Sequence, residues 1–513
     1  MNLKVSASAT LLAGLALALF AQNTSAKIPE TGNLEVEKLR LEAVHEYERG
    51  NYKESLEIFE EAAKKGLSND WQKVQIDLGM GDCYRNVGRL KDAETTLREG
   101  IELCEKDDQK GMSRRITATN YGAAVLLPYF YNNLGATYET QGRFSEAESA
   151  YKKSEALGLA IGGPKCQDVV LPLNHLIQLY LLWGKKSDAI AALERTKELE
   201  AKAPKGNPGK WLVYTIYSDG KVAELGGDYP YAEKHYQGAI AGVEATLGRS
   251  HDYCAEVLVP LGDLYRSEGR FKESQRALNR AKEIRQDKFS KNSYQYGRTL
   301  LPLAKLARDE GKYSEASELT EQATRTIEET LGPESLEMPR CWITTASILR
   351  WQGKYEQAEE FARKALKLDQ KLLMPDHPSI IEDMVALSDI LTDEGRLKES
   401  TEELNEALKL TESKLGDEHP LRLSINYSLA HLYASQNEPA KSEAYFKKAN
   451  EVATKTMGPE NARLAQGLRE LADVYVSDKK LDEAAASLKQ VLAIDEKLSG
   501  EKSAAVASDL DAL

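Results

Sequence analysis

Three arginines, Arg266, Arg308 and Arg350, follow one another at intervals of 42 residues. A guanidinium presents a planar fork that grips a carboxylate through two parallel bonds, so a row of them could hold an acidic segment. Arg298 and Lys305 precede Arg308 at helical spacing on the same flank, and Arg340 is placed likewise before Arg350. The plainer reading is a solvated row. Unit charges about 10 Å apart in water repel by only ~0.4 kcal/mol, and arginine near a helix C-terminus gains from the macrodipole. Such a row stands with or without a ligand. Covalent chemistry has no comparable signal. The sequence carries no GxxxxGK[ST] loop, no GxSxG elbow, no HExxH, no GxGxxG after a strand and no cysteine–histidine set at zinc spacing. The expectation is therefore a non-enzymatic chain with no catalytic residue, no metal and no cofactor. His377 and His419 each precede a proline, where a turn role is expected.

The arginines sit three residues before a recurring glycine, and that glycine sets the grid for the elements beneath them. Gly50, Gly88, Gly142, Gly184, Gly227, Gly269, Gly311, Gly353 and Gly395 open one returning phrase, as in "GKYEQAEEFARKAL" from Gly353; Asn437 and Lys479 take the same place in two further copies. A glycine five residues before an alanine suits a tight turn between two helices, since glycine adopts positive φ without strain and alanine admits a close neighbour. Twelve residues after the turn come Ala239, Ala281, Ala323, Ala365, Ala407 and Ala449, and before it apolar residues recur at helical spacing, as in Leu261, Leu264 and Tyr265. Two amphipathic helices per copy cannot bury their apolar faces alone and must stack on the next pair. Gly248, Gly332, Gly416, Gly458 and Gly500 fall on the same grid at the ends of second helices, where a left-handed C-terminal cap is expected. Pro260 and Pro302 share one position within first helices. Those helices either start late or bend there.

The phrases "LGATY" and "LGDLY", followed by the turn glycine and then alanine, resemble the tetratricopeptide repeat. The 42-residue step, with "LGDEHP" between copies, is similar to the kinesin-light-chain type of that repeat, well over residues 120–513 and more loosely over 34–105. The resemblance implies an all-α fold, a right-handed α-solenoid of about eleven antiparallel helix pairs, whose concave groove holds a protein or peptide partner. It places the arginine row at the border of that groove. It also implies that asparagines just before "LG" clamp a peptide backbone: Asn133 matches that place, with Asn132 and Asn174 one residue earlier in the repeat. The equivalent later positions are not asparagine, so no ladder of them runs along the array.

A formal charge of −13 disfavours nucleic acid and anionic lipid as partners. Lys4, an apolar stretch over residues 11–20 and small residues at Thr24 and Ala26 have the layout of a secretory leader cleaved after Ala26. Export to the periplasm or the exterior follows as an expectation, with an uncleaved anchor as the alternative; after removal no membrane span is expected. Five cysteines are an odd number for an exported chain, so at least one stays unpaired or pairs between chains, and the expected role is that of small buried residues. The organisation expected is a leader over residues 1–26, two repeats over 27–105, a loop insertion over 106–120, repeats three and four over 121–200, a Pro/Gly/Lys-rich hinge over 200–211, repeats five to eleven over 212–500, and a capping helix over 501–513 that places Val506, Leu510 and Leu513 on one helical face. The function expected is a scaffold for a partner segment; the alternative is a self-associating spacer of an envelope complex.

Overall fold

The computed structural model describes residues 33–67, 69–109, 123–162, 167–201, 210–416, 419–499 and 504–513. The leader, most of the insertion, most of the hinge, Cys166 and Gly500 lie outside the described residues. Among the described residues the fold is all helical. Eleven antiparallel pairs follow in order: α1 (Leu34–Glu48) with α2 (Tyr52–Lys64), α3 (Asp70–Asn86) with α4 (Leu90–Gln109), α5 (Leu127–Gln141) with α6 (Phe144–Gly162), α7 (Gln167–Leu182) with α8 (Lys186–Ala201), α9 (Lys210–Leu225) with α10 (Tyr229–Leu247), α11 (Asp252–Ser267) with α12 (Phe271–Phe289), α13 (Tyr294–Asp309) with α14 (Tyr313–Leu331), α15 (Met338–Trp351) with α16 (Tyr355–Leu372), α17 (Pro378–Asp393) with α18 (Leu397–Lys414), α19 (Pro420–Ser435) with α20 (Pro439–Met457), and α21 (Ala462–Ser477) with α22 (Leu481–Ser499). A last helix, α23 (Ala504–Ala512), closes the array.

All eleven expected turn residues adopt positive φ, from 59° at Asn437 to 85° at Gly395. At each turn the residue after it donates its N–H to a carbonyl five residues back, as Arg143 does to Tyr138 at 2.9 Å. That bond satisfies an orphan carbonyl of the first helix and points the chain into the second. The alanine row twelve residues later is sealed, with Ala239, Ala281, Ala323, Ala365, Ala407 and Ala449 all at 0% exposure. First helices start on side-chain caps: Asn33, Asn69, His251, Ser293, His377, His419 and Asn461 each accept a backbone N–H from the first turn. The turn role expected for His377 and His419 is thus an N-cap.

Several expectations are corrected. Gly248 (97°, 158°), Gly332 (90°, 165°) and Gly458 (82°, 172°) have positive φ but extended ψ, because the chain must straighten into the next junction rather than curl into a left-handed cap. Helices α11 and α13 start well ahead of Pro260 and Pro302 and run through them; neither starts late. Helix α4 continues to Gln109, into the stretch expected as a loop. On α23 Val506 is buried, yet Leu510 and Leu513 are 58% and 45% exposed. That helix is held instead by buried Asp509, which accepts from Arg469 Nε at 2.9 Å. Cys83, Cys104, Cys254 and Cys341 are buried and none forms a disulfide.

The array coils back on itself. Each of the first five turns lies against the start of the first helix six repeats later: Gly50 on Gln295, Gly88 on Glu334 and Ser335, Gly142 on His377, Gly184 on His419, and Gly227 on Met457 and Asn461. Hydrogen bonds cross this seam, one between backbones, Met374 N–H donating to Gln141 O at 2.9 Å, and one from a side chain, Lys186 Nζ donating to Thr456 O at 2.8 Å. One apolar core spans it, joining Val36, Phe59 and Ile76 to Leu300, Ile327 and Trp342. By contrast, no described residue lies against Gly269, Gly311, Gly353 or Gly395. A matched pair of substitutions separates seam from turn. Gly353→Ala should cost about 1–2 kcal/mol for the left-handed backbone alone. Gly88→Ala should cost about 1–3 kcal/mol more, since its Cβ would stand 2.5 Å from the Glu334 carbonyl oxygen. Urea midpoints compare the two; equal losses would mean that the seam carries no stability.

Candidate inner binding chamber

One turn of first helices encloses a cavity of about 730 Å³. Its wall takes Glu139 from α5, Gln178 from α7, Lys221 and Glu224 from α9, Glu256, Asp263 and Arg266 from α11, Arg298, Lys305 and Arg308 from α13, Glu337 just before α15 and Arg340 within it, and Arg463 from α21 on the second turn. Five of the six cations singled out from the sequence, Arg266, Arg298, Lys305, Arg308 and Arg340, therefore meet in one space. Arg350 is not on this wall. It donates to Asp393 at 2.6 Å and to Asp389 at 3.1 Å in the next repeat.

The arginine row ties repeat to repeat. Arg266 donates to Asp263 at 3.1 Å and, 43 residues on, to Asp309 at 2.7 Å. Arg308 also holds Asp309 and reaches Ser347 of the next repeat. Behind Arg298 lies a buried cluster in which Arg285, 1% exposed, donates to Asp252 at 3.2 Å, to Glu256, and to Thr299 Oγ1 at 2.7 Å. Arg298 shares Glu256 at 3.4 Å. Arg340 pairs with Glu337 at 3.2 Å. Burial would raise the Glu337 carboxyl, but Arg340 and Arg298 outweigh that and hold it below the usual carboxylate range. Burial pushes Glu139 up to about 7, with the Tyr151 hydroxyl, donating at 2.7 Å, opposing. The wall thus offers both signs of charge, already balanced in pairs, which fits a polar segment with donors and acceptors better than a purely anionic one.

Asn132, Asn133 and Asn174 do not line the chamber. They are 1%, 1% and 2% exposed; the first two lie on α5, which is buried at every position but Tyr131, and the third lies on α7. Asn174 donates to Val170 O and accepts from Ser218 Oγ, each at 3.0 Å. The amide atoms of Asn132 and Asn133 find no hydrogen-bond partner among the described residues. Sequence reasoning missed Asp263, Asp309, Asp389 and Asp393, the acids that engage the arginines. The signal was present: Asp309 and Asp393 stand 43 residues after Arg266 and Arg350.

Tetratricopeptide repeat models match residues 220–287, 253–329, 339–413, 384–452 and 421–497, and a second such model matches 130–154. Among curated proteins none matches significantly. A Rap protein solved in complex with competence and sporulation factor is 14% identical over 74% of this chain and 99% of its own, with a TM-score of 0.52. It shares the fold. The kinesin light chain TPR-like repeats of Podosopora anserina are 25% identical over 39% of this chain and 95% of theirs, with a TM-score of 0.33. The apo quorum sensor NprR from B. thuringiensis is 12% identical over 70% and 96%, with a TM-score of 0.44.

Proposed function

Because the chain belongs to the tetratricopeptide repeat family, we propose that it is a non-enzymatic protein-interaction scaffold that holds a segment of a partner protein in its inner chamber. The observation that carries this reading is the convergence of first helices from seven repeats on one cavity with a polar, charge-paired wall. The arginines expected to grip acidic groups are shared with aspartates of the chain itself. An acidic stretch of the partner would exchange with those aspartates, as at Arg266 and Asp309. The Rap protein, solved with a bound factor, supports the view that a coil of this type accommodates an occupant.

Affinity capture with the 27–513 chain tests the proposal. A double variant, Lys305→Glu with Arg463→Glu, reverses two charges on the wall while leaving the inter-repeat arginine ties in place. Glutamate at position 463 lies in the first turn of α21, where the helix dipole favours it, so helical circular dichroism should not change. A partner retained by the native chain should bind the variant at least about ten-fold more weakly, some 1.4 kcal/mol. Equal retention removes the chamber from the interaction, and concentration-dependent oligomers with no capture would favour the self-associating spacer. The same reading includes export, supported by the leader-like residues 1–26; the purified protein should have an intact mass lacking those residues, and a full-length mass would contradict cleavage.

A further inference from the structure

We infer that the chamber accepts a free chain end of the partner and not an internal loop or a folded surface; this rests on the chamber being the capture site. An open solenoid has a groove that a partner can enter sideways between successive turns. Here that route is shut. The turn residues of repeats one to five press on the starts of repeats seven to eleven, at Gln295, Ser335, His377, His419 and Asn461, and the apolar core continues across the join. The fifth of these contacts borders the chamber itself, since Tyr229, Ala462 and Arg463 beside it belong to the wall.

The seam covers the turns of repeats one to five. Of the later turns, Gly269 and Gly311 have no described residue against them. Arg266 and Arg308, three residues before those glycines, are on the chamber wall, so the rim they form, uncovered by any described residue, is its mouth. The far ends of α13 and α15 are covered, by Gly50 on Gln295 and by Gly88 on Glu334. A segment entering past Arg266 and Arg308 therefore runs inward along α11, α13 and α15 toward a covered end. A volume of about 730 Å³ is within the roughly 300–1,000 Å³ of small-ligand clefts; it suits a few residues of one strand, whereas a loop must pass two strands through the mouth.

The inner wall is equipped for the main chain of such an end. Proline has no N–H, so Pro260 and Pro302, both on the wall, leave the carbonyls of Glu256 and Arg298 without their helical donors. Those carbonyls, with the Glu256 and Glu337 carboxylates, can accept from backbone N–H groups or a terminal ammonium. The Arg298 and Arg340 guanidinia can donate to carbonyls or a terminal carboxylate.

Selection on the 27–513 chain from two peptide libraries tests this. One presents 12-residue peptides with one end free; the other presents the same length closed into disulfide loops. The expected result is free-ended binders that the Lys305→Glu, Arg463→Glu variant releases, and whose affinity falls at least about 100-fold when both ends are fused to folded domains. Loops or doubly fused peptides that bind as tightly, and are still released by the variant, would overturn the inference while leaving the chamber as the capture site. If neither library yields a peptide that the variant releases, the chamber reading falls and this inference with it.

Discussion

Arg285→Leu is expected to destabilise the fold by about 3–5 kcal/mol, the effect of removing one partner from a buried ion cluster. The guanidinium is sealed between two repeats, and it is the group that balances Asp252, at 0% exposure, and most of Glu256. Leucine fills part of the volume but leaves Glu256 with the long contact from Arg298, at 3.4 Å, and Asp252 without an ion-pair partner among the described residues. The cause lies in the charges left behind rather than in lost packing, and that distinction can be measured. The triple variant Arg285→Leu, Asp252→Asn, Glu256→Gln should regain most of the loss, because neutral amides do not carry the desolvation penalty of ions. Urea midpoints for the native, single and triple proteins decide it. A single variant within about 1 kcal/mol of native would show that the cluster is not buried in solution.

The second large effect is a pH dependence at the seam. His419 is 1% exposed; its Nδ1 accepts from Leu421 N–H at 3.2 Å, and its Nε2, 3.0 Å from Leu182 O, donates across the join between turns. The Nδ1 bond requires the neutral ring, whereas the Nε2 bond persists in either form. Burial pushes its pKa down to about 4, with the Leu182 carbonyl opposing. The folded value lies below the unfolded value of about 6.5, so the unfolded chain binds the extra proton between the two. The stability tied to neutral His419 is therefore complete above about pH 6.5 and is lost as the pH falls toward 4. The total is about 3 kcal/mol, since each tenfold change in proton affinity between the two states is worth about 1.4 kcal/mol. Asp77, Glu139 and Glu200 act in the opposite sense. Burial raises them to about 6, 7 and 7, so acidification relieves a penalty there. They remain in a His419→Asn variant and cancel in the difference. Asparagine already caps the equivalent helix at Asn461, so the variant keeps the cap and loses the titration. Its stability should fall less steeply than that of the native protein between pH 6.5 and 4; parallel profiles would disprove the role of His419.

The hairpins were legible in the sequence because a local backbone demand produced them. Positive φ selects glycine, and the same demand persists where Asn437 and Lys479 stand instead, which is why the grid continues to eleven copies. The alanine row was legible for a similar reason, since close approach leaves a mark on residue size. The seam left no such mark. Gly142, on His377, and Gly353, in open space, read identically, because the turn alone accounts for both and the second role adds nothing to residue type. The asparagines were misplaced by the same blind spot. A position that faces a groove in an isolated superhelix lies, on α5, inside a helix enclosed on nearly every side. For the arginines the types and spacing were visible, but their partners lay one repeat further on at 43 or 39 residues, and a reading of one repeat at a time sees only the cations.

Linear arrays gain and lose interior units readily, since every junction resembles the next and contacts reach only to the neighbour. A coil whose second circuit rests on its first lacks that freedom. Deleting or duplicating the sixth, seventh or eighth hairpin would shift every partner of Gly142, Gly184 and Gly227 by one place, setting His377, His419 and Asn461 opposite the wrong turns. Changes in length are thereby confined to the termini, much as a threaded bolt can be cut at its tip and cannot lose a pitch from its middle.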